Sequence, residues 1–289
     1  MKRLLVSLGL VIMATISGVA FSLNPNGATA LPDNRYVALG DSVAAGLGLS
    51  GSAGDATCGT SSQSYAYKVA QSQGLTLEHV ACSGAKADEG LYGPQEVKGV
   101  DLVPQLDQAF APGVPQVMTI TIGANDLRWS QFVRDCYVWN CGSSWDNVRA
   151  QAYLLDLRWE LYQTFKQIES RSNGVPPQVY VTGYFDPVAG QTCAALPRVT
   201  ATESAWLSNQ VNQLNQVIRE STAGYDFTTY VPVSFAGHEL CAAEPWVQGM
   251  NDAAPVHPTA NGQAAIADAV IAAMGRSGSA DPGVSIFDL

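Results

Sequence analysis

The chain has 289 residues, 47% of them hydrophobic and only 14% charged, with a formal net charge of −10. That length suits one large domain or two small ones and leaves room for a substantial core. The acidic balance argues against a nucleic-acid partner, because binding to a phosphate backbone rests on Lys and Arg contacts.

Lys2 and Arg3 precede an apolar run from Leu4 to Ala20, and Ala28-Thr29-Ala30 is a small-x-small cleavage site. The run is near the lower limit for a membrane span and is interrupted by Ser7, Thr15 and Ser17. Residues 1–30 therefore read as a signal peptide cleaved near Ala30, not as an anchor, which predicts a secreted, extracellular protein. No later segment is long and apolar enough to cross a bilayer. The even set Cys58, Cys82, Cys136, Cys141, Cys193 and Cys241 after a signal peptide suggests three disulfides. Cys136 and Cys141 are near enough to close a small loop together; fifteen pairings are possible overall. There is no CxxC pair and there are 3 histidines, so neither a metal nor another cofactor is expected.

Residues 36–39 form a short apolar run that reads, with Arg35, as a buried strand over 35–39 stopped by Gly40. Ser42 then stands at the C-terminal end of that strand, the edge where open α/β sheets bind ligands. Residues 49–62 read as a surface loop. Residues 64–73 have helical spacing, with Tyr65, Tyr67 and Val69 facing inward and Gly74 as the stop. Residues 75–81 alternate as a second strand. Residues 101–110 predict a short helix ended by Pro112-Gly113. The clearest strand is 117–122, which runs into Gly123-Ala124-Asn125-Asp126. Residues 129–141 read as a cysteine-bearing loop. Ser144 caps a long helix over 145–171, in which Trp145, Val148, Ala152, Leu155, Trp159 and Tyr162 share one face.

Residues 178–184 form a fourth strand, followed by a proline-containing loop. Thr200-x-x-Glu203 is a capping box opening a helix that carries Leu207, Val211, Leu214 and Ile218. Residues 228–235 form a fifth strand, and 237–256 are irregular. Thr259 opens a last helix stopped by Gly275, leaving 276–289 as a flexible tail. Strands alternating with helices predict a mainly parallel five-stranded sheet in a three-layer α/β/α sandwich, a single domain over 31–275.

Serine is a weak nucleophile until a base takes its proton. Of the three histidines, His79 lies inside a strand and His238 in the cysteine loop. His257 precedes Pro258 and the last helix, on a rim loop near the strand ends. Acyl transfer also needs donors aimed at the developing oxyanion. Gly84, after the second strand, lets a bare amide approach a substrate. Asn125, after the third, offers a side-chain NH2. Taken singly, Gly84 is an ordinary turn residue and Asn125-Asp126 an ordinary cap. Together, three strand ends presenting Ser, Gly and Asn beside a rim histidine are the parts that nucleophilic acyl transfer needs.

The blocks Gly40-Asp41-Ser42-x-x-x-Gly46, Gly84, Gly123-x-Asn125-Asp126 and His257-Pro258 resemble those of the SGNH, or GDSL-type, hydrolase family. The cysteine framework and the loop from Gly237 to Trp246 resemble its secreted bacterial esterase and lipase subgroup. The resemblance implies a flavodoxin-like fold, esterase activity and the bridges Cys58–Cys82, Cys136–Cys141 and Cys193–Cys241. The sequence lacks the GxSxG elbow of α/β-hydrolases. It departs from the family at Ala254, where many members carry Asp three residues before the histidine. The imidazole still needs an acceptor. Either the backbone carbonyl of Ala254 supplies it, which keeps the family's spacing, or Asp252 curls in. Asp41 reads as structural.

The expected chemistry is two-step acyl transfer: Ser42 as nucleophile, His257 as base, and the Ser42 amide, Gly84 amide and Asn125 side chain around the oxyanion. The expected substrate is a small-molecule or lipid ester, and the expected state a monomer. Trp129, Phe132, Tyr137, Trp139 and Trp246 are loop aromatics available to an acyl pocket. Two other readings remain open: a carbohydrate O-acetyl esterase of the same family, and a catalytically silent secreted binding module.

Overall fold

In the computed structural model, which describes residues 34–51 and 56–278, β1 (Arg35–Gly40) is buried along its whole length. Chain order continues through α1 (Ser42–Ala45), α2 (Tyr65–Gln73), β2 (Thr76–His79), β3 (Gln95–Val97), β4 (Val100–Leu102) and α3 (Gln105–Phe110). Then come β5 (Val117–Thr121), α4 (Trp129–Val138), α5 (Ser144–Arg171), β6 (Gln178–Thr182), α6 (Ala201–Thr222), β7 (Thr228–Val231) and α7 (Ala260–Gly278).

Five strands form a sheet in the order β2-β1-β5-β6-β7, and every neighbouring pair is parallel. This is the flavodoxin-like order, with its switch point where β1 is flanked by β2 on one side and β5 on the other. Helix α2 packs on α7, and α5 packs on both α3 and α6, which gives the sheet its two helical layers. The expected α/β/α sandwich is what the chain forms. The core runs through the sheet and both layers, with Leu39, Met118, Ile120 and Val181 fully buried in the central strands. Three disulfides join Cys58 to Cys82, Cys136 to Cys141 and Cys193 to Cys241. No helix among the described residues is long and apolar enough to cross a membrane. The segment 1–30, read as a signal peptide, lies outside the described residues, as does 279–289.

Several elements differ from their sequence reading. Residues 101–102 belong to β4, which pairs antiparallel with β3 in a hairpin. Its turn residues Lys98 and Gly99 both have positive φ, 54° and 80°, the geometry that hairpin turns favour. Helix α3 starts only after Pro104. The region 129–141 is mostly the helix α4, which buries Phe132, Val133 and Cys136. In α5 the apolar row read from the sequence faces solvent: Trp145 is 67% exposed, Leu155 67% and Trp159 57%. The face that packs inward carries Ala150, Leu154, Leu157, Leu161, Phe165 and Ile168. Tyr67 is half-buried and stacks on His79. Helix α7 continues past Gly275 to Gly278.

Candidate active site

A sharp turn at the end of β1 presents Ser42. Gly40 has φ +133°, and a Cβ there would stand 2.1 Å from the Thr121 carbonyl oxygen, so only glycine fits where β1 meets β5. Asp41 caps α1, its Oδ1 accepting from the Val43 amide at 2.9 Å. Its Oδ2 accepts from the Tyr184 hydroxyl at 2.5 Å. Burial pushes the Asp41 carboxyl up to about 7, against the opposing effect of these two bonds. With both oxygens engaged, Asp41 holds the turn rather than the histidine.

Ser42 Oγ and His257 Nε2 are 2.7 Å apart. The other ring nitrogen, Nδ1, donates to the Pro255 carbonyl at 2.9 Å. A carbonyl can only accept, so Nδ1 carries the proton and Nε2 is free to take one from Ser42. The orienting group is a backbone carbonyl, but it is neither of the two sequence candidates. The Ala254 carbonyl accepts from the His257 main-chain amide at 3.2 Å. Asp252 Oδ2 accepts from the Gly249 amide at 2.6 Å, within its own turn. Val256 takes φ +58°, and this kink folds the ring back over Pro255. Burial lowers the His257 pKa below 6.5, opposed by its backbone bonds to Pro255 and Ala254.

Asn125 follows β5, and its Nδ2 donates to the Ala85 carbonyl at 2.9 Å, which leaves its second N–H. It lines one cleft with Ser42 and His257. Gly84 does not line that cleft; it lies in a separate hollow beside Ser83, Gln95 and Lys98. Its amide has no acceptor among the described residues. Asp126 does not cap a helix. Its Oδ1 accepts from the Ala87 amide at 3.0 Å, and burial raises its carboxyl to about 6. The other histidines are engaged elsewhere. His79 Nε2 lies 3.1 Å from the Ala44 carbonyl. The His238 ring bonds Glu244 and stacks on Trp246 at 3.8 Å. Among the described residues, no group of three His, Cys, Asp or Glu is placed to hold a metal.

The walls of the cleft are largely apolar: Trp129, Phe185, Pro187, Val211, Leu214 and Val256. Of the loop aromatics read from the sequence, only Trp129 reaches it. Phe132 packs edge-on against Trp206 in the core. Tyr137 packs against the core, Trp139 is 75% exposed, and Trp246 covers His238. Sequence reasoning missed Tyr184, Phe185 and Pro255. The rule that picked out Asn125 at a strand end applies equally to Tyr184 and Phe185, just beyond β6. Val211 and Leu214 were read as core, and helical spacing cannot separate a core position from a cleft wall.

A parallel sheet with a serine and a histidine bonded across its C-terminal edge, beside an apolar cleft, is the arrangement of a carboxylic ester hydrolase. The model of the GDSL-like lipase/acylhydrolase family matches residues 38–265. A lipase of Streptomyces rimosus is 31% identical over 219 residues, 72% of this chain and 74% of that protein. The crystal structure of the extracellular lipase from Streptomyces rimosus aligns with TM-score 0.65 and 29% identity, covering 84% of this chain and 99% of that one. That of phospholipase A1 from Streptomyces albidoflavus NA297 aligns with TM-score 0.64 and 25% identity, covering 84% and 98%. The chain belongs to the GDSL-like lipase/acylhydrolase family.

Proposed function

We propose that this protein hydrolyses carboxylic esters by two-step acyl transfer through Ser42. His257 Nε2 takes the Ser42 proton as Oγ attacks the ester carbonyl. The Ser42 amide, the Gly84 amide and the free N–H of Asn125 hold the oxyanion. His257 then gives its proton to the alcohol leaving group. Next it takes a proton from water as the water attacks the acyl-enzyme, and it returns that proton to Ser42 Oγ as the acyl–Oγ bond breaks and the acid leaves. The histidine is oriented by the Pro255 carbonyl, so the machinery is a Ser-His dyad. The observation that carries this reading is the 2.7 Å contact between Ser42 Oγ and His257 Nε2, with Nδ1 tied to Pro255.

The apolar walls of the cleft favour an acyl chain longer than acetate. That is the lipase-like reading, and it places lipid or small-molecule esters ahead of acetylated carbohydrate. The disulfides and the leader-like N-terminus support secretion with cleavage near Ala30. The test is a nitrophenyl ester series from acetate upward, run on wild type and Ser42→Ala. Medium or longer chains should be preferred, and Ser42→Ala should lose at least 10³-fold in kcat, on the order expected for a removed nucleophile. Full activity in Ser42→Ala sinks the mechanism. A sharp preference for acetate favours the deacetylase reading.

A further inference from the structure

We propose that Gln248 is the positioning residue of the dyad, tying the histidine loop to the nucleophile turn in place of the missing carboxylate. This rests on the acyl-transfer reading above.

A carboxylate beside a histidine fixes the ring by charge as well as geometry. A carbonyl has only its dipole, so the ring's orientation depends on how firmly the carbonyl's own loop is held. The loop 254–258 has no helix or ladder of its own, only the single bridge between Val247 and Pro258. Val256 within it sits at φ +58°, a conformation that a β-branched residue keeps only under outside constraint.

Gln248 supplies that constraint from both sides of the histidine. It is 5% exposed. Its Oε1 accepts from the Ala254 amide at 3.2 Å, before His257. Its Nε2 donates to the Pro258 carbonyl at 3.0 Å, after His257. Its main-chain amide donates to the His257 carbonyl at 2.7 Å, and its carbonyl accepts from the Val256 amide at 3.0 Å. The second N–H of Nε2 crosses to the other half of the site and donates to the Leu47 carbonyl at 3.1 Å. The Leu47 amide in turn donates to the Ser42 carbonyl at 3.0 Å. One side chain thus makes three hydrogen bonds, through both N–H donors and its oxygen, two on the histidine loop and one on the nucleophile turn. The approach is close enough that a Cβ on Gly48 would stand 2.6 Å from Gln248 Oε1.

Gln248→Met keeps length and volume and removes all three side-chain bonds. A shift of about 1 Å in a reacting group can cost up to 10²-fold. The expected result is a 10- to 100-fold loss of kcat with KM within about twofold of wild type. Proton NMR of the ring N–H groups provides a second reading. The His257 Nδ1–H signal should broaden or vanish, while the His238 signal, held by Glu244, stays as an internal mark of folding. Should Gln248→Met fail to fold, Gln248→Glu decides. It keeps the acceptor for Ala254 and recovers a donor only when protonated, so its kcat relative to wild type should rise as pH falls. Unchanged kcat in Gln248→Met, a loss confined to KM, or a pH-independent ratio in Gln248→Glu overturns the proposal. Ser42→Ala run alongside separates the cases. If that variant is active the acyl-transfer reading itself fails, and if it is dead while Gln248→Met is fully active only Gln248's role fails.

Discussion

A carbonyl oxygen in place of a carboxylate changes the electrostatics of the proposed base. Pro255 offers His257 a dipole, where a carboxylate would offer a full charge to steady the imidazolium. Burial removes the ring from water, and it is the first cause of the lowered pKa. A general base works in its neutral form, so a lowered pKa extends its range toward acid. On a soluble nitrophenyl ester, kcat/KM should rise with pH to a plateau through a midpoint below 6.5. A midpoint at or above that value contradicts the buried-base description. Stability carries the same sign. Folded His257 stays neutral where the unfolded chain takes up a proton, so its contribution is full above 6.5 and lost as pH falls through the folded value. Asp41 has the opposite sign. Its folded carboxyl, at about 7, keeps a proton that the unfolded chain releases, so its contribution is full below 3.8 and lost as pH rises through 7.

Helix α5 has two apolar rows, and both have helical spacing. The period identifies a helix without saying which row turns inward. The inner row, with Ala150, Leu154 and Leu157, has small and aliphatic side chains buried on the face by which α5 packs on α6. The outer row has bulkier rings, and Trp159 and Tyr162 cover one another at 5.4 Å. Leu157→Ala should cost about 2–5 kcal/mol, because Leu157 is fully buried. Trp159→Gln should cost under about 1 kcal/mol, because that ring is 57% exposed. Urea unfolding of the two variants settles which face is core, and the reverse ranking would contradict the packing. Caps and stops were legible in part: the cap of α5 is Ser143 rather than Ser144, and α7 runs past Gly275. Thr200 with Glu203 forms the capping box that its spacing announces, and Gly74 ends α2 in the left-handed conformation. These are local signals. The inward face of α5 is a tertiary choice, and so is the helix α4, whose sequence has no strong cap.

At the scale of the whole molecule, a parallel sheet gathers distant residues because every strand ends on the same edge. Ser42 after β1 and Asn125 after β5 were legible for that reason. The histidine's surroundings were not. The stretch 237–256 has no period, so nothing local announces that Pro255 rather than Ala254 meets the ring, or that Gln248 braces the loop. What holds that stretch is long-range, and the bridge Cys193–Cys241 is part of it, joining the loop after β6 to the loop after β7. The chain-entropy model scales with the loop closed: a separation of 48 gives about 4 kcal/mol, and the separation of 5 at Cys136–Cys141 about 2 kcal/mol. Replacing each pair by serine should therefore destabilise in that order, read as a difference in urea midpoints at constant slope. The activity of the folded fraction should be kept in the Cys193→Ser, Cys241→Ser variant. The Leu240 amide still donates to the Pro187 carbonyl at 2.8 Å, and Gln248 still grips both flanks of His257. A fall in kcat without unfolding would assign the bridge a share in positioning the base.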